Sequence, residues 1–274
     1  MNYKIIFTDI DSTFLSSKCT VSEKNLEALR ELRKMGVLVV PVTGRAHGAV
    51  IEEIRENEDI RYVISSNGAC ILDKETGEKS CVFLKPDAAD GLASLFSRYN
   101  CFPIVHADNK VIIDNARYKK REPFGFSPYH EAYFINFSTP IDGFDEWLKS
   151  KRCEIEMTLA YFVNDEDKNA FCKEVEKIGS IHITSSSVTN TEFLDKGATK
   201  GEGIRRFAEK MGVPLSEVIA IGDSDNDVTM LKTAGLGLVV SNGCATAKAA
   251  ADMVICSNDE SSMYYVYKNI IKRD

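Results

Sequence analysis

The fold is decided by residues 3–13, YKIIFTDIDST, in which a β-branched and aromatic run ends abruptly on Asp9 and Asp11. Such a run predicts a short buried strand. The two aspartates are two residues apart, so in an extended segment their side chains point to the same side. Ligands of open α/β sheets bind at the carboxyl ends of the strands, which makes this strand end a candidate functional site.

Beyond this strand the chain continues as alternating helix and strand. Ser22 is a suitable N-cap, leucines follow at helical spacing, and Gly36 stands where a left-handed C-terminal cap is expected. The apolar run from Val37 to Val42 predicts a strand covered on both faces, and residues 62–65 predict a third strand. This βαβαβ order implies a parallel sheet with right-handed crossovers.

The same alternation returns near the C-terminus. Thr199 and Glu202 form a candidate capping box for a helix, and residues 218–221 and 236–240 predict two further strands. The sequence therefore predicts an α/β fold with a doubly wound, Rossmann-like parallel-sheet core.

Residues 84–188 differ from both of these regions. Prolines and aromatic residues become frequent, and the regular strand–helix rhythm is lost. Insertions are tolerated where a loop leaves a rigid scaffold, so this stretch predicts a second, α+β domain inserted into the first. The predicted domains are a core of residues 1–83 and 189–274 and an insert of residues 84–188.

Composition excludes several classes of function. The net charge of −7 argues against a nucleic-acid partner, because such a surface needs clustered Lys and Arg. No run approaches the roughly 18 apolar residues of a membrane helix, and no signal peptide precedes the first strand. Eight cysteines are scattered without a C-x-x-C pair, which favours reduced thiols in a cytoplasmic protein.

Four polar segments follow or adjoin the predicted core strands and helices. They are Asp9-Ile10-Asp11-Ser12-Thr13, Thr43-Gly44-Arg45, Lys200, and Gly222-Asp223-Ser224-Asp225-Asn226-Asp227. Each segment alone is weak evidence, because a D-x-D after a strand is more often a turn or cap, and a lone lysine is usually solvated. Their joint placement at strand ends of one sheet is what predicts an active site.

The chemistry of these residues points to phosphate and magnesium. Asp9, Asp11, Asp223 and Asp227 would repel one another unless a cation lay among them, and all-oxygen ligation suits Mg²⁺. The four histidines are far apart in the sequence, so no zinc cluster is predicted.

A phosphate dianion could approach Asp9 only where a metal and Lys200 offset its charge. The hydroxyl and N–H groups of Thr43 and Gly44 would then hold its other oxygens. A carboxylate is a competent nucleophile toward phosphorus, and Asp11 is placed to move the proton.

The four segments resemble the four motifs of the haloacid dehalogenase (HAD) superfamily, in the order and spacing of its Cof-type phosphatases. Those proteins carry a large α+β cap, which determines substrate specificity, between the second and third motifs. The irregular insert occupies the same interval here, between Arg45 and Lys200. One departure is Ser12, where most Cof-type members have glycine.

The resemblance implies a role for each matching residue. For catalysis it implies Asp9 as nucleophile and Asp11 as general acid and base. For the metal it implies Mg²⁺ held by Asp9, Asp223 and the backbone carbonyl of Asp11, with Asp227 beside it. For phosphate binding it implies Thr43, Gly44, Lys200 and Asn226.

These inferences predict a Mg²⁺-dependent phosphatase that hydrolyses a small phosphomonoester, such as a sugar phosphate or a related metabolite, through an aspartyl-phosphate. One alternative is a phosphomutase or phosphotransferase, since Asp11 would serve both reactions. A second alternative, from a different class, is a non-enzymatic phospho-acceptor module like the receiver domains. Receiver domains are much shorter, however, and lack both the insert and the second aspartate.

Overall fold

The computed structural model describes residues 3–186 and 190–272. The chain divides into two compact units. We call them the core unit (Met1–Gly44, Val50–Ser80 and Thr199–Asp274) and the insert unit (Arg45–Ala49 and Cys81–Ala198).

Strands and helices are numbered along the whole chain. The strands are β1 Ile5–Thr8, β2 Leu38–Pro41, β3 Tyr62–Ser65, β4 Cys70–Asp73, β5 Lys79–Cys81, β6 Cys101–Ala107, β7 Lys110–Asp114, β8 Ser138–Ile141, β9 Ile155–Phe162, β10 Ile181–Thr184, β11 Asn190–Asp195, β12 Val218–Gly222, β13 Leu236–Val240 and β14 Met253–Ile255. The α-helices are α1 Glu23–Lys34, α2 Glu52–Arg55, α3 Pro86–Arg98, α4 Asn115–Tyr118, α5 Pro128–Phe137, α6 Phe144–Ser150, α7 Asp165–Glu176, α8 Lys200–Met211, α9 Val228–Thr233, α10 Ala245–Ala250 and α11 Ser262–Val266.

The core unit is built on a five-stranded parallel sheet in the order β14-β13-β12-β1-β2. Successive side chains of a strand point to opposite faces of the sheet, so alternate residues of these strands enter two separate apolar clusters. Ile6 packs in the cluster that contains residues of α1 and α11, whereas Phe7 packs with Ile204 and Phe207 of α8. Helices therefore cover both faces, and the predicted doubly wound α/β fold is confirmed.

The first predicted helix also forms where it was expected. The Ser22 hydroxyl accepts the backbone N–H of Asn25 at 3.1 Å, which satisfies one of the free donors at the start of α1. Just beyond its last turn Gly36 has φ +75°, the left-handed conformation that favours glycine. Both helix ends therefore follow from local sequence.

The third predicted parallel strand needs a correction. β3 touches the parallel sheet through a single bridge, Val42 to Ile64, and otherwise pairs antiparallel with β4 in a separate sheet ordered β3-β4-β5. The chain reverses immediately after β3, at residues 66–68, so β4 pairs antiparallel along one edge of β3, while the other edge meets the parallel sheet at Val42.

The insert unit contains a six-stranded sheet in the order β10-β11-β9-β6-β7-β8. Its neighbours pair antiparallel except for β7 and β8, which are parallel. An apolar cluster that includes Phe96 of α3, Leu148 of α6 and Phe171 of α7 lies against this sheet. The mixture of antiparallel strands and helices matches the predicted α+β character.

The bounds of the insert unit differ from those of the predicted insert, residues 84–188. The expected return to the core at residue 189 lies outside the described residues, but the following strand β11 pairs with β9 and β10, so the insert unit extends to Ala198. It also begins at Cys81 and includes residues 45–49. β11 follows the predicted boundary, and its pairing with β9 and β10 is what assigns it to the insert unit.

The expectation of reduced thiols fails for two cysteines. Cys70 and Cys81 are disulfide-bonded, whereas the other six cysteines are free. The two lie on the neighbouring strands β4 and β5 and are 11 positions apart in the sequence, so no C-x-x-C pattern marks them. Among the described residues, the helices are all too short or too polar to span a bilayer.

Candidate active site

Two neighbouring strands place the first carboxylates of the site at one sheet edge. β1 and β12 run parallel in the register Thr8 to Ile221, and the N–H of Asp9 donates to the Ile221 carbonyl at 2.8 Å. Asp9 follows β1 directly and Asp223 follows β12. Asp9 and Asp223, 214 positions apart in the sequence, are therefore brought together by strand pairing, as their placement after strands predicted.

Three carboxylates form a compact buried cluster at this edge. Asp9, Asp223 and Asp227 each offer an oxygen, and these oxygens lie within 4.8 Å of one another. All three side chains are buried, and Asp227 is completely so. This all-oxygen, anionic donor set suits Mg²⁺ rather than a metal that prefers nitrogen or sulfur.

Burial and mutual repulsion perturb these carboxyl groups. Burial raises the pKa of Asp9 well above its usual range; Lys200 opposes that shift, whereas Asp227, Asp223 and Asp11 add to it. Burial, followed by repulsion from Asp227, raises the pKa of Asp223 to about 6. A cation among them would favour the ionised forms, so the electrostatics of the cluster also fit a metal site.

Lys200 is the cation that the chain itself supplies. It is the first residue of α8, its side chain is fully buried, and its Nζ donates to Asp9 Oδ1 and Asp227 Oδ1 at 2.6 Å each. Burial alone would lower the pKa of this ammonium, but the two carboxylates outweigh it and hold the pKa above its usual range. Lys200 therefore remains a fixed positive charge beside Asp9.

Asp227 uses both of its oxygens within the protein. Oδ1 accepts from Lys200, and Oδ2 accepts the backbone N–H groups of Asp223 at 2.9 Å and Ser224 at 3.0 Å. The close approach requires Gly222, because a Cβ there would lie 2.5 Å from the Asp227 Cβ. Asp227 thus holds Lys200 and the backbone that carries Asp223.

Sequence reasoning assigned no role to two residues that hold the Asp223 carboxylate. Thr13 Oγ1 donates to Asp223 Oδ1 and Ser224 Oγ donates to Oδ2, both at 2.7 Å. Thr13 is completely buried and lies at the fifth position of the Asp9 segment. The signal available from the sequence was the position of Thr13 in the polar segment that follows β1, and its burial in the structure then requires a partner for the hydroxyl.

The predicted phosphate-binding residues meet at the same edge. The N–H of Val42, at the end of β2, donates to the Thr8 carbonyl at 2.8 Å, which places Thr43 and Gly44 beside the Asp9 segment. A Cβ on Gly44 would lie 3.7 Å from Asn226 Nδ2, so Asn226 is close as well.

Asp11 and Ser12 occupy a sharp turn after β1. The Asp11 carboxylate is near enough to raise the pKa of Asp9 but is not a member of the three-carboxylate cluster. Ser12 has φ +59°, in the left-handed region that favours glycine, and its carbonyl accepts from Asn242 Nδ2 at 2.8 Å. The backbone path at Ser12 is therefore one that glycine would also follow.

Comparisons with known proteins identify the family to which the chain belongs. The family model of the haloacid dehalogenase-like hydrolases matches residues 6–266. The chain is 28% identical to the phosphatase YwpJ of Bacillus subtilis, over 98% of this chain and 100% of the relative. It is also 28% identical to the 5-amino-6-(5-phospho-D-ribitylamino)uracil phosphatase YcsE of the same organism, over 96% of this chain and 94% of the relative.

A solved structure of a haloacid dehalogenase-like hydrolase from B. subtilis superposes with a TM-score of 0.85 at 30% identity, covering 97% of this chain and 99% of the other. The family model and the superposed fold thus both identify one known family. The chain belongs to the haloacid dehalogenase-like hydrolases.

Proposed function

We propose that this protein is a Mg²⁺-dependent phosphatase that hydrolyses a small phosphomonoester through an aspartyl-phosphate intermediate. The observation that carries the proposal is the buried Asp9 carboxylate held at 2.6 Å by Lys200, within a cluster that contains Asp223. A nucleophile, a fixed cation and a metal site at one point form the combination that phosphoryl transfer requires.

Asp9, Asp223 and the backbone carbonyl of Asp11 would hold the metal ion. Asp227 would stay beside it, because its two oxygens already accept from Lys200 and from backbone N–H groups. When bound, Mg²⁺ would supply positive charge that favours ionised carboxylates and offsets the charge of the phosphoryl group.

Asp9 carries out the first step. Lys200 engages Oδ1, so Oδ2 is the oxygen that attacks phosphorus. The new Asp9 O–P bond forms as the bond from phosphorus to the substrate oxygen breaks, and Asp11 donates a proton to that leaving oxygen. Thr43, Gly44 and Asn226 hold the remaining phosphoryl oxygens.

Asp11 then acts as a base in the second step. It removes a proton from a water molecule that attacks phosphorus of the aspartyl-phosphate. The bond from Asp9 to phosphorus breaks, inorganic phosphate leaves, and the Asp9 carboxylate is regenerated. The proton that Asp11 gave up in the first step is thereby replaced.

The substrate class we propose is a small phosphorylated metabolite, such as a sugar phosphate or a related polyol compound. Support comes from YcsE, whose named substrate carries its phosphate on a ribityl chain. The insert unit, residues 45–49 and 81–198, is proposed to select the substrate. Screening phosphorylated metabolites for kcat/KM tests this assignment.

The metal requirement gives the first testable prediction. Hydrolysis of p-nitrophenyl phosphate should vanish in excess EDTA and return when Mg²⁺ is added. Asp223→Asn should raise the Mg²⁺ concentration for half-maximal activity at least about tenfold, because it removes a ligand charge.

Asp225→Asn is the matched control, since Asp225 is an exposed carboxylate two residues away. It should leave the Mg²⁺ requirement unchanged. Mg²⁺ should also raise the melting temperature of the wild type more than that of Asp223→Asn, which reports binding without turnover. Equal activity with and without chelator would contradict the metal assignment.

A further inference from the structure

The turn after β3 adopts a strained conformation. Ser66, Asn67 and Gly68 have φ values of +50°, +54° and +100°, so two residues other than glycine lie consecutively in the left-handed region. All three are buried. Such conformations persist only where the surrounding structure imposes them, and they cluster at functional sites.

The surrounding contacts fix the backbone of this turn from two sides. On one side the N–H of Asn67 donates to the Thr43 carbonyl at 2.9 Å. On the other side Arg206 Nη2 donates to the Gly68 carbonyl at 2.6 Å. The turn is therefore hydrogen-bonded directly to Thr43, one of the residues that we assign to phosphate binding.

The side chain of Asn67 reaches two more of the assigned phosphate ligands. Its Oδ1 accepts from Asn226 Nδ2 at 3.0 Å, and a Cβ on Gly44 would lie 3.2 Å from the same oxygen. The bond to Asn67 occupies one N–H of the Asn226 amide and fixes its plane. The second N–H of that amide is thereby given a defined direction.

We propose that Asn67 is a positioning residue that sets the Asn226 amide and the Thr43–Gly44 turn in the geometry that binds a phosphoryl group. The inference rests on the proposed function. Asn67 acts through these neighbours: one atom, its Oδ1, packs against Gly44 and orients Asn226. Apart from glycine, asparagine is among the residues best tolerated in the left-handed conformation, and its amide also supplies a neutral acceptor at this position.

Asn67→Gly separates the side chain from the backbone. Glycine adopts the left-handed conformation freely and keeps the N–H that donates to Thr43, but it removes Oδ1. We expect kcat/KM for p-nitrophenyl phosphate to fall about 10- to 100-fold, the range found when a residue that orients a ligand is lost. Inhibition by orthovanadate should weaken in parallel, while the melting temperature stays at or above that of the wild type.

Cys19→Gly is the matched control. Cys19 also has a left-handed φ, +57°, but is exposed in a turn of the core unit. Both substitutions introduce glycine at a left-handed position, so a general effect of backbone flexibility would appear in both. We expect Cys19→Gly to match the wild type in kcat/KM and in orthovanadate inhibition.

A double-mutant cycle with Asn226→Ala tests whether Asn67 acts through Asn226. If it does, adding Asn67→Gly to Asn226→Ala should lower kcat/KM by no more than about threefold further, because coupled residues are non-additive. Losses that multiply in full would contradict the inference, as would an Asn67→Gly variant as active as the wild type. A wild type that hydrolyses no phosphate ester in Mg²⁺ would instead overturn the proposed function.

Discussion

Asp9→Asn should lower kcat for p-nitrophenyl phosphate by on the order of 10⁴-fold or more, the scale of loss when a nucleophile is removed. The amide has nearly the shape of the carboxylate, and its oxygen can still accept from Lys200, but it cannot attack phosphorus. The fold should survive. The substitution removes one charge from a buried cluster in which carboxylates raise one another's pKa, so the apo protein should melt at the same or a higher temperature.

The measurement is a steady-state assay together with thermal unfolding of the same preparation. Asp225→Asn again serves as the control, because it makes the same chemical change at an exposed position of the core unit. Residual activity of several per cent in folded Asp9→Asn would remove Asp9 from the role of nucleophile.

Lys200→Met should damage both activity and stability. Lys200 offsets the charge of Asp9 and Asp227, and both of those side chains are at least nine-tenths buried. Breaking a buried ion pair by removing one partner costs about 3–5 kcal/mol, since the remaining charge is left uncompensated. The pKa of Asp9 should rise further, which depletes the ionised form that attacks phosphorus.

Lys210→Met is the matched control on the same helix. Lys210 pairs with Glu78 at 3.0 Å, but its side chain is 43% exposed and that of Glu78 is 62% exposed. Exposed pairs contribute about 0–1 kcal/mol, so urea unfolding should show a small change. Mg²⁺ should restore part of the stability of Lys200→Met, because another cation would enter the cluster. A Lys200→Met protein as stable as Lys210→Met would contradict this view.

Much of the site could be predicted from sequence because ligands of a parallel sheet bind at the carboxyl ends of its strands. Asp9, Thr43 and Asp223 each follow an apolar run, and parallel strands bring their carboxyl ends to one edge. The position of Lys200 at the start of a helix could also be predicted from the sequence. Its simultaneous contact with two carboxylates was not, since that depends on how α8 packs against the sheet.

Features that depend on turn geometry or on long-range pairing escaped prediction. The roles of Asn67 and Thr13 follow from distances of about 3 Å across segments far apart in the sequence. The local sequence of β11 does not show which sheet it joins, and its pairing with β9 is what assigns it to the insert unit. The disulfide-bonded state of Cys70 likewise could not be predicted without knowing that β4 and β5 are neighbouring strands.

The central claim is that Asp9 carries the phosphoryl group, and its most direct test is to trap that group on the protein. Asp11→Asn should retain the first step with p-nitrophenyl phosphate, whose leaving group needs little protonation, but should slow the attack of water. Acid quenching followed by digestion and mass spectrometry should then find phosphate on the peptide that contains Asp9. A covalent phosphate on any other residue, or turnover of this variant without a covalent intermediate, would contradict the mechanism.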